Sequence, residues 1–211
     1  MNTLEWLIDK YSLDIKKPSP IEIPNVGRDT MVGWWNELGF VLGAEVGVER
    51  GVFSKFICET NPQACLYSVD PWKGYFLGKR EKSDDLMERA YQTAKERLAP
   101  YKNNKIIRKT SVEGAKDIPD ESLDFVFIDG NHDYTYCLED ITVWSRKLKK
   151  GGMISGHDYI RKQASVSDMH VIEAVNDYVK ANNISPWFLL GLKAKNNGMI
   201  RDASRSWMWI K

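Results

Sequence analysis

The chain has 211 residues, of which 30 are basic and 29 acidic, a formal net charge of +1. That length suits one domain, and the charge balance supplies no basic surface that would make nucleic acid or an anionic membrane the main partner. Cys58, Cys65 and Cys137 are odd in number and lack CxxC or metal spacing, which excludes a disulfide framework and points to reduced thiols in the cytoplasm; no run reaches the ~18 apolar residues that span a bilayer.

The N-terminal MNTLEWLIDK carries acids and no long apolar stretch, so it reads as an amphipathic helix over residues 2–11 and not as a signal peptide. A Pro-rich connector over 17–24 follows. A helix is predicted over 28–38 and a strand over 40–48. Residues 52–60 read as a helix, with Gly51 at its start and Asn61-Pro62 as its stop. Residues 64–69 form a strand that ends at Asp70-Pro71. Ser83 is a candidate N-cap for a helix over 83–98, with acids in its first turn. Strands are predicted over 105–108 and 122–128, a helix over 135–148, a strand from 152 to 155, and a helix over 169–181 with Val171, Ile172, Val175 and Val179 on one face. The chain closes with two strands, 187–190 and 207–210, and no helix between them. Strands that alternate with helices imply a parallel sheet covered on both faces. The closing pair implies an antiparallel hairpin edge.

In such a sheet, ligands bind outside the carboxyl ends of the strands. Four polar clusters fall at those ends: Glu45-Val46-Gly47, Asp70-Pro71-Trp72, Asp129 to Asp133, and His157-Asp158. The stretch DFVFIDGNHDY shows the pattern, because an apolar run from Phe125 to Ile128 halts at two acids, a glycine and a histidine. Caps and turns account for one such cluster; four at one edge point to a site. The segment GAEVGVERGVF lacks G-x-G-x-x-G, and its Gly47 and Gly51 would let a ligand approach the backbone closely. Asp70 stands where an acid accepts hydrogen bonds from ribose hydroxyls. Glu45 beside the turn would repel a pyrophosphate and suits a ligand with a cationic amine or sulfonium.

With Glu45, Gly47 and Gly51 in E-x-G-x-x-x-G, the acid Asp70, and the terminal strand at Trp207, residues 28–211 resemble the class I S-adenosylmethionine (SAM)-dependent methyltransferases. FVFIDGNHDY (125–134) and KKGGMISGHDY (149–159) narrow the likeness to the bacterial small-molecule group with the macrocin-type sugar O-methyltransferases, methyltransferase-24-like in kind. The resemblance implies a Rossmann-like, doubly wound α/β sheet of seven strands, mostly parallel, in one domain over 28–211, preceded by the helix and connector of 1–27. It implies that Glu45 and Gly47 hold the methionine end of SAM, with Gly51 in the same turn. Asp70 would hold the ribose hydroxyls, Pro71 and Trp72 would flank the adenosine, Ser111 would lie beside the adenine, and Asp129 near the methionine end. In metal-dependent relatives, an acid matching Asp129 and a pair matching His157-Asp158 bind a divalent ion. Their pair is Asp-Asp or Asp-Asn; here it is His-Asp, a mixed N/O set that favours Mn²⁺, Fe²⁺ or Zn²⁺ over Mg²⁺.

Methyl transfer from a sulfonium is an in-line displacement that depends on positioning. A hydroxyl acceptor must also lose its proton, to a base or with the help of a metal. His157 is therefore a candidate base, oriented by Asp158 or Asp129, with His132 close by; His170 reads as structural or at the rim. Trp34 and Trp35 are read as packing or an acceptor lid, Trp207 and Trp209 as core and strand face, and residues 73–83 as a lid or a solvated connection. The expected partner is a small-molecule acceptor, with a homo-oligomer left open. Two alternatives stand: a nicotinamide-dependent oxidoreductase with an atypical turn, and a non-catalytic SAM-binding domain.

Overall fold

The computed structural model describes residues 2–77, 80–160, 169–191 and 204–211. Helix α1 (Thr3–Tyr11) starts in a capping box: Asn2 Oδ1 accepts from the Glu5 amide, and the Glu5 carboxylate accepts from the Asn2 amide. Strand β1 (Ile21–Pro24) turns Ile21 and Ile23 inward and Glu22 outward. Helix α2 (Arg28–Glu37) and strand β2 (Leu42–Val46) lead to α3 (Val52–Thr60) and β3 (Cys65–Val69). A hairpin of β4 (Tyr75–Leu77) and β5 (Arg80–Lys82) precedes α4 (Asp84–Leu98). The cap expected at Ser83 is present, its side chain accepting from the Leu86 amide at 3.3 Å. Then come β6 (Asn104–Ile107), α5 (Ser111–Lys116), β7 (Leu123–Ile128), α6 (Tyr134–Lys147), β8 (Leu148–Gly156), α7 (Val171–Ala181), β9 (Phe188–Gly191) and β10 (Ser206–Ile210).

Eight strands form one sheet in the order β1-β9-β10-β8-β7-β2-β3-β6. β10 pairs antiparallel with β8 and β9, and the other pairings are parallel. The seven strands read from the sequence are all in it. The eighth, β1, comes from the Pro-rich connector and pairs parallel with β9. It takes the edge, so the β9–β10 pair lies inside the sheet. Proline tolerates an edge position because one side of the strand needs no N–H donors; Pro20 and Pro24 flank the alternating Ile21-Glu22-Ile23. Of the segment joining β9 and β10, residues 192–203 lie outside the described residues.

Side chains of β7 alternate between two cores, as strand geometry requires. Phe125 and Phe127 face α1, α2 and α3, in a core with Trp34, Trp35 and Met153. Val126 and Ile128 face α5, α6 and α7, in a core with Trp144, Trp207 and Trp209. The tryptophans are thus packing elements: Trp34 and Trp35 are buried, and the Trp207 and Trp209 rings stack 5.1 Å apart. Trp35 stacks on Phe125 with 4.0 Å between centroids, and the Phe125 ring fills the space that Gly43 leaves open. Among the described residues no helix is long and apolar enough to cross a membrane.

Phe125→Ala should empty that space at the centre of the sheet and destabilise the fold by about 3–5 kcal/mol, measured by urea denaturation. A loss below about 1 kcal/mol would contradict the packing described.

Candidate active site

The carboxyl ends of β2, β3, β7 and β8 meet at one edge of the sheet. At the end of β2, Gly47 takes φ +90°, and a Cβ there would lie 2.1 Å from the carbonyl oxygen of Asp129. The turn after β2 therefore touches the turn after β7 directly. The Asp129 amide donates to the Val46 carbonyl at 2.7 Å and fixes the same contact. Gly51, with φ +69°, starts α3 in the left-handed conformation open to glycine. Glu45 is buried, and Ser54 on α3 donates a short hydrogen bond to its carboxylate. Ser68 donates to Ser54 at 3.1 Å, and Asn104 to Ser68 at 2.7 Å. Burial pushes the Glu45 carboxyl up to about 8; the charges of Asp129 and Asp70 push the same way, against the Ser54 bond and the Arg28 charge.

Asp70 accepts from three backbone donors. One oxygen accepts from the amides of Val48 and Glu49, each at 3.0 Å, and the other from the Trp72 amide at 2.7 Å. It ties the β2–α3 turn to the end of β3. Two carboxylate oxygens offer about four acceptor positions, so room remains for one further donor such as a ribose hydroxyl. Burial raises the Asp70 pKa, against the three backbone bonds. Pro71 is exposed; Trp72 is buried on Val48, Met87 and Ala90, and its Nε1 donates to the Glu49 carbonyl at 2.7 Å. Trp72 thus backs the turn. The 73–83 stretch contains the β4–β5 hairpin, moored by Lys82 Nζ, 3.3 Å from Glu49 Oε1, and by the Gly74 amide on Asp84; residues 78 and 79 lie outside the described residues.

The expected convergence of Asp129, His132, His157 and Asp158 is present. His132 Nε2 is 3.5 Å from Asp129 Oδ1 and 3.2 Å from Asp158 Oδ2. His157 Nδ1 is 3.8 Å from Asp129 Oδ2 and 3.6 Å from Asp158 Oδ1. Burial raises the Asp158 pKa, but the His157 hydrogen bond and charge, with Ser204 and His132, outweigh it and hold the carboxyl well below the usual range. Asp158 reaches this position with φ +56°. Among the described residues, Asp129, His132 and Asp158 form a metal-competent trio, whose ligand atoms all lie within 4.8 Å of one another. His157 sits alongside that trio, whereas the sequence pointed to His157 as the nitrogen ligand. Both nitrogens of His132 are buried without a hydrogen-bond partner of good geometry, which fits an imidazole placed to ligate. The His170 amide donates to the His132 carbonyl at 3.0 Å, so the third histidine braces this loop.

Ser111 opens α5, and its hydroxyl accepts from Trp144 Nε1 at 2.8 Å. It also bonds Asp140, a buried acid pushed up to about 7 by burial and by the Glu139 charge, against the Ser111 bond. Asp140 backs onto Gly130, where a Cβ would lie 3.1 Å from its Oδ2. Sequence reasoning missed Asp140, although Cys137, Asp140, Ile141 and Trp144 share one buried face of α6 and an acid there is out of place. It also missed Arg28, whose Nη1 lies 3.4 Å from Asp129 Oδ2; an arginine at a helix start carries no signal of its own. A groove of about 840 Å³ between α6 and α7, lined by Leu138, Thr142, Tyr178 and Trp209, includes none of these strand-end residues.

Residues 44–159, which carry all of these clusters, match the family model described as a methyltransferase domain. The chain belongs to this methyltransferase family. That sets aside the nicotinamide-dependent alternative and agrees with SAM as the cofactor. The chain is also similar, with 13% identity and a TM-score of 0.58, to the O-methyltransferase from Bacillus cereus in complex with SAH, covering 99% of this chain and 90% of that one. The O-methyltransferase TomG from Streptomyces achromogenes, involved in tomaymycin synthesis and in complex with SAM, is 11% identical at TM-score 0.58, covering 97% and 86%. An rRNA methylase from Streptococcus thermophilus is 14% identical at TM-score 0.56, covering 87% and 93%. These likenesses show the fold. Among curated proteins, 118 residues are 26% identical to uncharacterized protein y4gI of Sinorhizobium fredii, and the match covers 56% of this chain and 12% of that protein's length.

Glu45 holds its proton more tightly in the folded protein than in the unfolded chain, so it makes folding less favourable as pH rises from its ordinary range to about 8. Glu45→Gln removes that loss. The melting temperature of the variant relative to wild type should therefore climb between about pH 5 and about pH 8. A difference that stays constant with pH would show that Glu45 ionises as freely as an exposed acid.

Proposed function

We propose that this SAM-dependent methyltransferase acts on a hydroxyl of a small molecule or sugar, in the cytoplasm, from a single catalytic domain over residues 28–211 with 1–27 as its N-terminal helix and connector. One observation carries the reading: Asp129, His132, His157 and Asp158 converge at the sheet edge that also carries the Gly47 turn and Asp70. Three free cysteines support a reducing compartment. The net charge of +1 favours a small acceptor over RNA, despite the methylase fold shared with the rRNA enzyme.

Bound SAM supplies an electrophilic methyl group, and the chain's residues supply placement and proton control. Gly47 lets the cofactor's amino-acid end approach the backbone, and Asp70 sets the turn beneath the ribose. An acceptor hydroxyl placed over Asp129 would lie near both imidazoles. His157, with Asp129 and Asp158 as its orienting carboxylates, is the candidate base: it takes the hydroxyl proton as the oxygen attacks, and an imidazole is suited to that exchange near neutral pH. Asp129, His132 and Asp158 are also the residues that would hold a divalent ion, which would acidify the acceptor hydroxyl; their donor set favours Mn²⁺, Fe²⁺ or Zn²⁺.

Calorimetric titration with SAM, SAH and NAD should show micromolar-range binding of the first two and none of the third. Transfer of labelled methyl to a panel of hydroxylated small molecules tests the chemistry. His157→Ala should slow transfer by about 10²–10⁴-fold while SAH affinity is kept. Chelation should abolish transfer in the metal-assisted version and leave it intact in the base version. Binding of SAM with no transfer to any hydroxyl acceptor would favour the non-catalytic reading instead.

A further inference from the structure

A small cavity adjoins the cluster of carboxylates and imidazoles. Ile128, Cys137, Ile141, Val171 and Trp207 give it apolar walls, and His132 lines it too. About 10 Å³ is open there to the centre of a water molecule. That is room for one water.

Polar atoms without partners gather at this place. Among the described residues, six buried side-chain nitrogens and oxygens lack a hydrogen-bond partner. Two are on His132, one is on Trp207 and one on His170, so four of the six belong to these three residues. The His170 amide donates to the His132 carbonyl at 3.0 Å, and the next residue, Val171, lines the cavity. Trp207 is 2% exposed. Its ring lies against the backbone of Gly156, where a Cβ would sit 2.3 Å from Cζ2. Packing therefore fixes the indole N–H, which cannot turn to bulk solvent. A buried N–H is costly unless something inside the protein accepts its hydrogen.

Trp207 cannot serve His132 directly in every state. The indole N–H only donates. The two imidazole nitrogens diverge, so with Nε2 3.2 Å from Asp158 Oδ2 and 3.5 Å from Asp129 Oδ1, Nδ1 faces away from those carboxylates. When Nε2 keeps its lone pair for a divalent ion, Nδ1 carries the hydrogen, and two donors confront each other. One water resolves the conflict, because it can accept from both; when Nδ1 is bare, the same water donates to it. Asn131 also lines the space, and its carbonyl, which accepts from Cys137 Sγ at 3.1 Å, keeps a second lone pair for the water.

We propose that this cavity binds one water between Trp207 Nε1 and His132 Nδ1, and that through it Trp207 is a positioning residue for His132. A histidine that ligates a metal commonly gives its second N–H to such a partner, which fixes the ring and its tautomer. The role assigned to the water rests on the site proposed above; its presence rests on the cavity and the buried donors.

The test is NMR on the full chain, deuterated on carbon and labelled with ¹⁵N, together with calorimetric titration of Mn²⁺. The first reading needs wild type alone: the Trp207 indole N–H should show a nuclear Overhauser effect to a long-lived water. Trp207→Phe keeps a ring and removes the donor, and should shift the His132 ring nitrogens, identified through His132→Gln. Trp209→Phe alters the ring stacked on Trp207 and should leave those nitrogens in place. Trp207→Phe should weaken Mn²⁺ by roughly tenfold to a hundredfold, and Trp209→Phe by less than about twofold. No Overhauser effect in wild type overturns the water. Equal His132 shifts in the two variants, no shift in either, or an unchanged Mn²⁺ affinity in Trp207→Phe overturns the positioning role. If wild type binds no Mn²⁺ while both NMR signatures hold, the metal-assisted reading of the site falls and the water bridge stands.

Discussion

The site depends on one close approach. The turn after β2 can lie against the turn after β7 only because residue 47 has no side chain, and because its backbone takes a positive φ that glycine adopts without strain. Any Cβ at 47 would sit inside the peptide of Asp129. From that contact the rest follows. Asp129 is delivered to the turn after β2, β8 delivers His157 and Asp158 beside it, and Asp70 pins the far side of the turn through three amides. Methyl transfer draws on positioning more than on any single reactive group, and backbone contacts of this kind are what fix a position.

The second constraint is electrostatic. Four carboxyl groups lie buried at or beneath this edge, and their environments drive them apart. Glu45 and Asp140 are pushed up toward neutrality because burial exceeds what Ser54 and Ser111 return. Asp158 is held down because two histidines and a serine more than offset its burial. Opposed shifts gathered at one sheet edge are a mark of functional sites. Here they also separate states: protonated Glu45 is bonded to Ser54 on α3, while ionised Asp158 lies beside two imidazoles. Arg28 completes the balance by placing one positive charge where acids otherwise crowd.

The layout of this site was legible in the sequence because strand ends announce themselves. An apolar run broken by Asp-Gly-Asn-His, or one closed by His-Asp, marks a carboxyl edge whatever the tertiary details. What was not legible lies in side-chain direction. Trp72 was expected against a nucleoside and is buried behind the turn, because a positive φ at 72 swings it toward α4. His132, four residues past the end of β7, reaches the carboxylates more closely than His157 does, a difference that depends on how the loop folds back. Strand β1 hid in a Pro-rich connector because a strand of four residues at an edge leaves only one Ile-Glu-Ile alternation as its trace. Arg28 had no trace at all, since its partner lies 101 residues away.

Hydrogen exchange with and without SAH tests the central claim most directly, because it reports where the ligand sits without presuming any residue's role. Protection should rise at the amides of Val48, Glu49, Val52 and Phe53, at Trp72, and across Gly130 to His132. The groove between α6 and α7, with Tyr178 and Trp209 in its lining, should be unaffected. Protection in that groove, with none around Gly47 and Asp129, would contradict the account.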